Sequence, residues 1–486
     1  MQISATPSIR GGSIALVAAL LTSLLTVAGC SSAGTTAASL STNSTTTNIT
    51  SAKTAVPVSI TDAPGSQIVA TSLTLNSIVL TDSNGLTASI LSAPIPFEAT
   101  HLDAVQEPLF TPAVPEDTYT SVALTYSNAE VTYIDPSTKK LVQTTGTLAN
   151  TSQTITFSSP ITINNTTTSL LIDYLVANSV TISGSTVTVT PTFNVAAVAI
   201  PAQPTNGTNG LQCGIVGEVT ALGTNSFTLT NASGTALVVD VNASTQYQGL
   251  SGFSALALDE MVEVDTVTQS SGTLLAARVA VQSKPSGAPT PAELLIGPIT
   301  TTTGSPVTSF TQVVRQNIGG ASASATTTNT ITIDSATTFL LPPRFGNVTG
   351  AAQPLTSTFS ASTLFAGQVV SVATSGVTNN AATALSVALS PQTVDGTIAS
   401  VVVAANTNAY TAYTLTLTSG SWLATLTGQT TVTVYANGNV QSINGSAFTV
   451  GSTARFNGFL FNNNGALVLL ADVQAGPPGT PIVGHP

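Results

Sequence analysis

Beyond residue 56 apolar and polar positions alternate with period two. Val58-Ser-Ile-Thr61, Leu73-Thr-Leu-Asn76, Thr154-Ile-Thr-Phe157, Val187-Thr-Val-Thr190, Phe227-Thr-Leu-Thr230, Ile331-Thr-Ile-Asp334, Leu415-Thr-Leu-Thr418 and Val432-Thr-Val-Tyr435 all carry it. Successive side chains of a strand point to opposite faces, so each run predicts a strand with one buried and one hydroxyl-wetted face. Thr and Val are β-branched, which adds to the preference for sheet. Turn chemistry separates the runs, as in Ser83-Asn-Gly85, Asn231-Ala-Ser-Gly234 and Asn462-Asn-Asn-Gly465. Helix-period stripes are few, and the short segments 93–105 and 252–258 are the expected helical turns. The chain reads as all-β.

The runs group into four units. Residues 57–196 read as a Greek-key sandwich of immunoglobulin or prealbumin type. Residues 197–211, with Pro201-Ala-Gln-Pro-Thr-Asn-Gly-Thr-Asn-Gly210, read as a linker. A pattern then recurs over 212–284, over 292–390 with longer insertions, and over 393–475. It opens Gly217-Glu-Val219, Gly297-Pro-Ile299 and Gly396-Thr-Ile398, and later gives Val262-Glu-Val264, Val370-Ser-Val372 and Ala454-Arg-Phe456. Five or six short strands per unit suggest small closed barrels, OB-like in size. The expected fold is therefore a sandwich followed by two to three OB-like β-barrel repeats. The tail 476–486 carries Gly-Pro-Pro-Gly-Thr-Pro and reads as disordered.

Two of these units resemble uncharacterised families. Val58-Ser-Ile-Thr-Asp62-Ala-Pro64, the turn Pro115-Glu-Asp-Thr-Tyr119 and Leu170-Leu-Ile-Asp-Tyr174 resemble a domain of unknown function recurrent in bacterial lipoproteins; Asp117 stands where that family usually has glycine. Asp62 reads as an acceptor for backbone N–H groups and Tyr119 as a core tyrosine-corner residue. The first barrel copy resembles a second family, of exported bacterial proteins. Its marks are the opening Gly-x-Val, a Gly-Asp-x-Val-x-Val strand and a closing Gly272-Thr-Leu-Leu-Ala-Ala-Arg-Val279. Asp259-Glu260 replaces the expected Gly-Asp, whereas Gly367 and Gly451 keep the glycine in the later copies.

The amino terminus changes the picture from fold to location. Arg10 precedes the apolar run 14–27, shorter than the ~20 residues a spanning helix needs but suited to a secretory signal. The run ends in Val27-Ala28-Gly29-Cys30, which resembles a bacterial lipobox. The resemblance implies that residues 1–29 are a signal peptide and that Cys30 is lipidated, making the membrane a partner. Ser31-Ser32, without Asp at the second position, leans toward the outer membrane. Ser or Thr fills 14 of the 25 positions 31–55, so 30–56 reads as a flexible tether. Cys213 is left without a disulfide partner and reads as a small residue at a strand start.

Composition limits the chemistry. Charged residues make up 6% of the 486, against about 25% in average proteins, and the net charge is −11. No basic face exists to neutralise phosphates, so nucleic acid is not an expected partner. His101 and His485 are the only histidines. Glu98, Asp103 and Glu107 lie close to His101 in sequence, yet no Gly-x-Ser-x-Gly elbow is present and His101 reads as a partly exposed loop residue. Catalytic residues, metal and cofactors are expected to be none. Asp259, Glu260, Glu263 and Asp265 form the densest carboxylate cluster, a weak calcium candidate for which a solvated strand face is the plainer reading. Tyr410, Tyr413 and Trp422 are the one candidate aromatic platform for a glycan or small ligand, the alternative being core. The function expected is a non-enzymatic, lipid-anchored envelope protein with a structural or interaction role. The alternative is a module for an envelope polysaccharide or small ligand at the Trp422 region or in a barrel mouth.

Overall fold

The structure, a computed structural model, describes residues 51–475 except 63–64, 104, 165–167, 201–210, 270, 283–290, 322–323, 350–353, 356–357, 405–409 and 443–447. The signal segment, Cys30, most of the Ser/Thr-rich stretch and the Pro-rich tail lie outside the described residues.

The first unit is a sandwich. Its larger sheet pairs Ser152–Ile163, Asp117–Ile134, Ile68–Asp82 and Thr87–Ser89 in that order, with Ile95–Glu98 and Leu141–Thr145 added alongside. The smaller sheet runs Phe193–Ala199, Thr168–Tyr174, Val58–Asp62, Glu107–Phe110, and its two middle strands are parallel. Alternation places Leu73, Leu75, Leu80, Val122 and Leu124 of one sheet against Ile60, Leu170, Ile172, Tyr174 and Phe193 of the other. In the larger sheet their neighbours Ser72, Thr74, Thr81, Ser121 and Thr125 turn away from this core, whereas in the smaller sheet Ser59, Thr61, Leu171 and Asp173 are buried as well. Tyr119 is fully buried and its hydroxyl donates to the Pro115 carbonyl at 2.7 Å, the tyrosine-corner bond the sequence suggested.

Three barrels follow with one topology. In the first, the strands are Leu211–Leu222, Ser226–Asn231, Ala236–Asp240, Met261–Thr268 and Leu274–Val281. Each is antiparallel to its neighbours except the third and fifth, which close the barrel in parallel. The second repeats this with Glu293–Thr303, Ser309–Val313, Thr328–Thr332, Val369–Thr374 and Ala381–Leu389. The third does so with Gln392–Val402, Thr411–Leu417, Thr431–Ser442, Thr453–Asn463 and Ala466–Ala475. A strand order of 1-2-3-5-4 with parallel closure is that of the OB fold.

The recurring Gly-x-Val/Ile is explained by closure. The first strand bends to pair with the second along one half and the fourth along the other. Its bulge falls directly after Val219, Ile299 and Ile398, all buried in their barrel cores. Each of these residues also exchanges two backbone hydrogen bonds with the turn entering the fourth strand. The amides of Asp259, Gly367 and Gly451 donate to the carbonyls of Val219, Ile299 and Ile398, and the bonds return from those three residues to Glu260, Gln368 and Ser452. The turn requires left-handed backbone: φ is +103° at Gly367, +89° at Gly451 and +63° at Asp259. Asp tolerates that region better than most side chains, so Asp259 replaces the family glycine without changing the turn.

Two one-turn helices, Val176–Ser179 and Trp422–Thr427, and the 3-10 turn Pro343–Val348 were not visible in the sequence, whereas 3-10 turns at Thr100–Leu102 and Phe253–Ala255 fall in the expected segments. Among the described residues no helix is long and apolar enough to cross a membrane.

Candidate functional site at the four-module junction

The scarce charges lie inside. Of the arginines among the described residues, Arg315, Arg344 and Arg455 make contacts across modules, and Arg278 bonds within the first barrel beside them. Arg278 of the first barrel donates to Asp265 at 2.6 Å, to Glu263 and to Gln248. Arg344 of the second barrel donates through Nε to Asp472 of the third at 2.5 Å and approaches Glu263 of the first at 4.0 Å. Arg455 of the third barrel pairs with its cross-strand neighbour Asp395 at 3.3 Å and with Asp103 of the sandwich at 3.6 Å. Arg315 of the second barrel donates through Nε to the Val69 carbonyl of the sandwich at 2.8 Å and lies 5.7 Å over the ring of Trp422 in the third.

His101 belongs to this junction and is not a partly exposed loop residue. The 3-10 turn Thr100–Leu102 presents a ring that is nine-tenths buried, with Nδ1 3.2 Å from Glu98 and Nε2 3.2 Å from Glu107. Glu98 also accepts from the amides of Thr71, Thr100 and His101, and Glu107 accepts from Asn231 of the first barrel at 2.6 Å. Burial acts to lower the His101 pKa, but hydrogen bonds and charges from Glu107 and Glu98 outweigh it and raise it to about 9. Burial acts to raise Glu98, and the bond to His101 holds it below its usual value. Both ring nitrogens are therefore N–H donors near neutral pH, leaving no lone pair for a general base. The stability His101 contributes is complete below its free value of 6.5 and lost as pH rises through about 9. A nitrogen-15 NMR spectrum at about pH 8 is expected to show a doubly protonated imidazole at this residue, and a neutral ring would refute the arrangement.

A cavity of about 100 Å3 lies between all four modules. His101 and Asp103 reach it from the sandwich, Glu263 from the first barrel, Arg315 and Arg344 from the second, and Asn457 from the third. It is smaller than the ~300–1,000 Å3 of a site for a drug-sized ligand.

The aromatic platform expected at Tyr410, Tyr413 and Trp422 does not form. Trp422 is 8% exposed, its amide donates to the Ser66 carbonyl at 2.9 Å, and its ring packs beneath Arg315. Tyr413 packs at a tilt on Phe456 and meets Phe448 edge-on, while Tyr410 donates to the Val348 carbonyl at 2.8 Å and meets Tyr435 edge-on. The three rings serve three packing contacts: Tyr413 lies on the strand Thr411–Leu417, Tyr410 just before it, and the helix Trp422–Thr427 carries the tryptophan away from both. Trp422 is the one tryptophan of the chain, so its fluorescence reports the junction directly.

The carboxylate cluster is likewise corrected. Glu263 and Asp265 do share a face opposite the core residues Val262 and Val264, but that face is covered by Arg278 instead of solvent. Asp259 is exposed in the left-handed turn, and the Glu260 carboxylate accepts from the Ala257 amide at 3.1 Å. Among the described residues no group of three or more His, Cys, Asp or Glu is placed to hold a metal ion. Asp62 accepts a backbone hydrogen bond as expected, from Val176 at 3.3 Å, yet it does so deep in the junction.

No curated protein matches the chain. A solved glycoside hydrolase family 32 structure from Bifidobacterium adolescentis is similar at 8% identity, over 86% of this chain and 67% of that one, with a TM-score of 0.12; a likeness of that size carries no argument. The chain carries a domain of unknown function, DUF5666, at residues 216–280, which is the body of the first barrel.

Proposed function

We propose that the protein is a lipid-anchored component of the bacterial cell envelope that acts by contact, presenting its sandwich and three barrels as one joined body. The observation that carries the reading is where the reactive groups lie. Arg315, Arg344 and Arg455 are committed to contacts between modules, Arg278 and His101 to carboxylates of their own module at the junction, and among the described charged residues only Lys53, Lys139, Lys140, Asp259 and Asp334 are exposed. Polar bonds between modules reinforce this: Gln212 to Ser59, Thr132 to the Ala325 carbonyl, Gln143 to the Thr326 carbonyl and Gln368 to the Leu460 carbonyl. An apolar seam of Val216, Met261, Leu294 and Ile318 joins the first two barrels. Groups held this tightly suit the shape of a scaffold better than a reaction cycle.

Anchoring rests on Cys30. Mass spectrometry of the mature protein is expected to find a diacylglyceryl-modified, N-acylated cysteine at its amino terminus, and Cys30→Ala is expected to move the folded protein from the membrane to the soluble fraction. Stable anchoring requires more than one acyl chain. An unmodified Cys30 sulfur would end the reading.

A further inference from the structure

We propose that Arg455 and the four aspartates around it form a proton-operated latch, which holds the third barrel against the sandwich in mild acid and loosens as the pH rises. Arg455 and Asp395 come from the third barrel; Asp62, Asp103 and Asp173 come from the sandwich. Arg455 is 1% exposed, its Nε is 3.3 Å from Asp395 and its Nη1 3.6 Å from Asp103. Both of its Nη groups are buried without a hydrogen-bond partner, as are Asp62 Oδ2, Asp103 Oδ1 and both carboxylate oxygens of Asp173.

The groups facing this cluster are few. Strand Val58–Asp62 supplies Asp62, and Thr168–Tyr174 supplies Asp173 and the Tyr174 hydroxyl. The segment after the 3-10 turn supplies Asp103, Gln392–Val402 supplies Asp395, and the second barrel supplies Arg315. Arg315 makes no ion pair within 4 Å of these carboxylates, and beyond it Glu98 and His101 compensate each other. Four ionised aspartates would face one close cation. Unpaired buried charge is expensive enough that such groups take up protons instead.

The aspartates lean that way. Burial, with the charge of Asp103, pushes Asp62 well above the usual carboxylate range, and burial raises Asp103 against the pull of Arg455. Burial raises Asp173 to about 6 and Asp395 to about 6, with Arg455 opposing both. A carboxyl with a higher pKa when docked adds stability that is complete below its free value of 3.8 and disappears as pH rises through its docked value. A shift of about two units changes the docking equilibrium by up to ~100-fold per group.

Hydrogen exchange of the full-length protein in detergent tests the latch. Corrected for intrinsic rates, protection in Val58–Asp62, Thr168–Tyr174, Gln392–Val402 and Thr453–Asn463 is expected to fall at least ~10-fold between about pH 5 and 8, while Ser226–Asn231 in the first barrel stays constant. The pair Asp173→Asn and Asp395→Asn, which mimics the protonated state, is expected to weaken that response, leaving what Asp62 and Asp103 contribute. Equal or greater protection at the higher pH, or an undiminished response in the double variant, would overturn the proposal. If the double variant does not fold, infrared spectroscopy of the unmodified protein decides. A buried protonated-carboxyl band that disappears as pH rises through about 6 supports the latch, and absence of that band refutes it.

Discussion

Replacing Arg278 with methionine is expected to cost about 3 kcal/mol of stability, the low end of what removing one partner of a buried ion pair costs. The guanidinium holds Asp265 and Glu263 together on the outer face of the first barrel. Without it both carboxylates stay enclosed, since Gln282 still donates to Glu263 and the Gly214 amide to Asp265. Arg344, 4.0 Å from Glu263, keeps part of the field, which is why the low end applies. The triple variant Glu263→Gln, Asp265→Asn, Arg278→Met is expected to return to within about 1 kcal/mol of the parent, because a buried ion cluster replaced as a whole is often neutral. The effect also has a pH signature. Burial acts to raise Asp265, but Arg278 outweighs it and holds the carboxyl below its usual value. Its contribution is therefore present above the free value of 3.8 and lost as pH falls through the lower folded-state value, so the deficit of Arg278→Met shrinks in acid. Urea midpoints at neutral and acid pH measure both. A neutral-pH loss under ~0.5 kcal/mol would mean that the pair behaves as an exposed one.

That network is what the sequence concealed. Strands were legible because Val-Thr alternation states both strand and buried face, and Val58, Ile60, Phe227, Leu229, Val432 and Val434 are all core. The barrel repeat was legible through Gly-x-Val/Ile, a motif tied to local backbone geometry. The junction was not, because its partners are remote: 246 residues separate Arg315 from Val69, and 128 separate Arg344 from Asp472. His101 illustrates the error. Glu98 and Glu107 were visible three and six residues away, but nothing local indicated that barrels would close over all three. Glu263 and Asp265 misled for a related reason, because polar residues on a strand face look solvated until an arginine of the neighbouring strand, here Arg278, covers them. Trp422 could not be placed from the sequence for another reason. Its helix is six residues long, too short to show a 3.6-residue period, and is defined by the Ser421 cap accepting from the Ala424 amide and by Gly428 at φ +70°.

Gly297→Ala is expected to be the most damaging single-methyl addition in the chain's first strands. A Cβ at Gly297 would lie 1.9 Å from the Val313 carbonyl oxygen; at Gly396 the nearest atom is the Thr416 carbonyl at 2.4 Å, and at Gly217 the Thr230 carbonyl at 2.6 Å. All three contacts are with backbone of the second-strand region, which is held in a closed ladder and cannot rotate away as a side chain would. Overpacking of a core costs about 1–3 kcal/mol, occasionally more, so Gly297→Ala is expected at or above ~3 kcal/mol. Gly396→Ala and Gly217→Ala should follow in that order. Gly346 in the 3-10 turn Pro343–Val348 supplies the control: nothing lies within 4 Å of its Cβ position, and Gly346→Ala is expected to stay within ~0.5 kcal/mol of the parent. Urea unfolding of the four variants ranks them. The order carries the argument, because it ties the repeat's glycine to the approach of two strands at barrel closure. If Gly297→Ala unfolded at the parent midpoint, that approach could not be the reason glycine stands there.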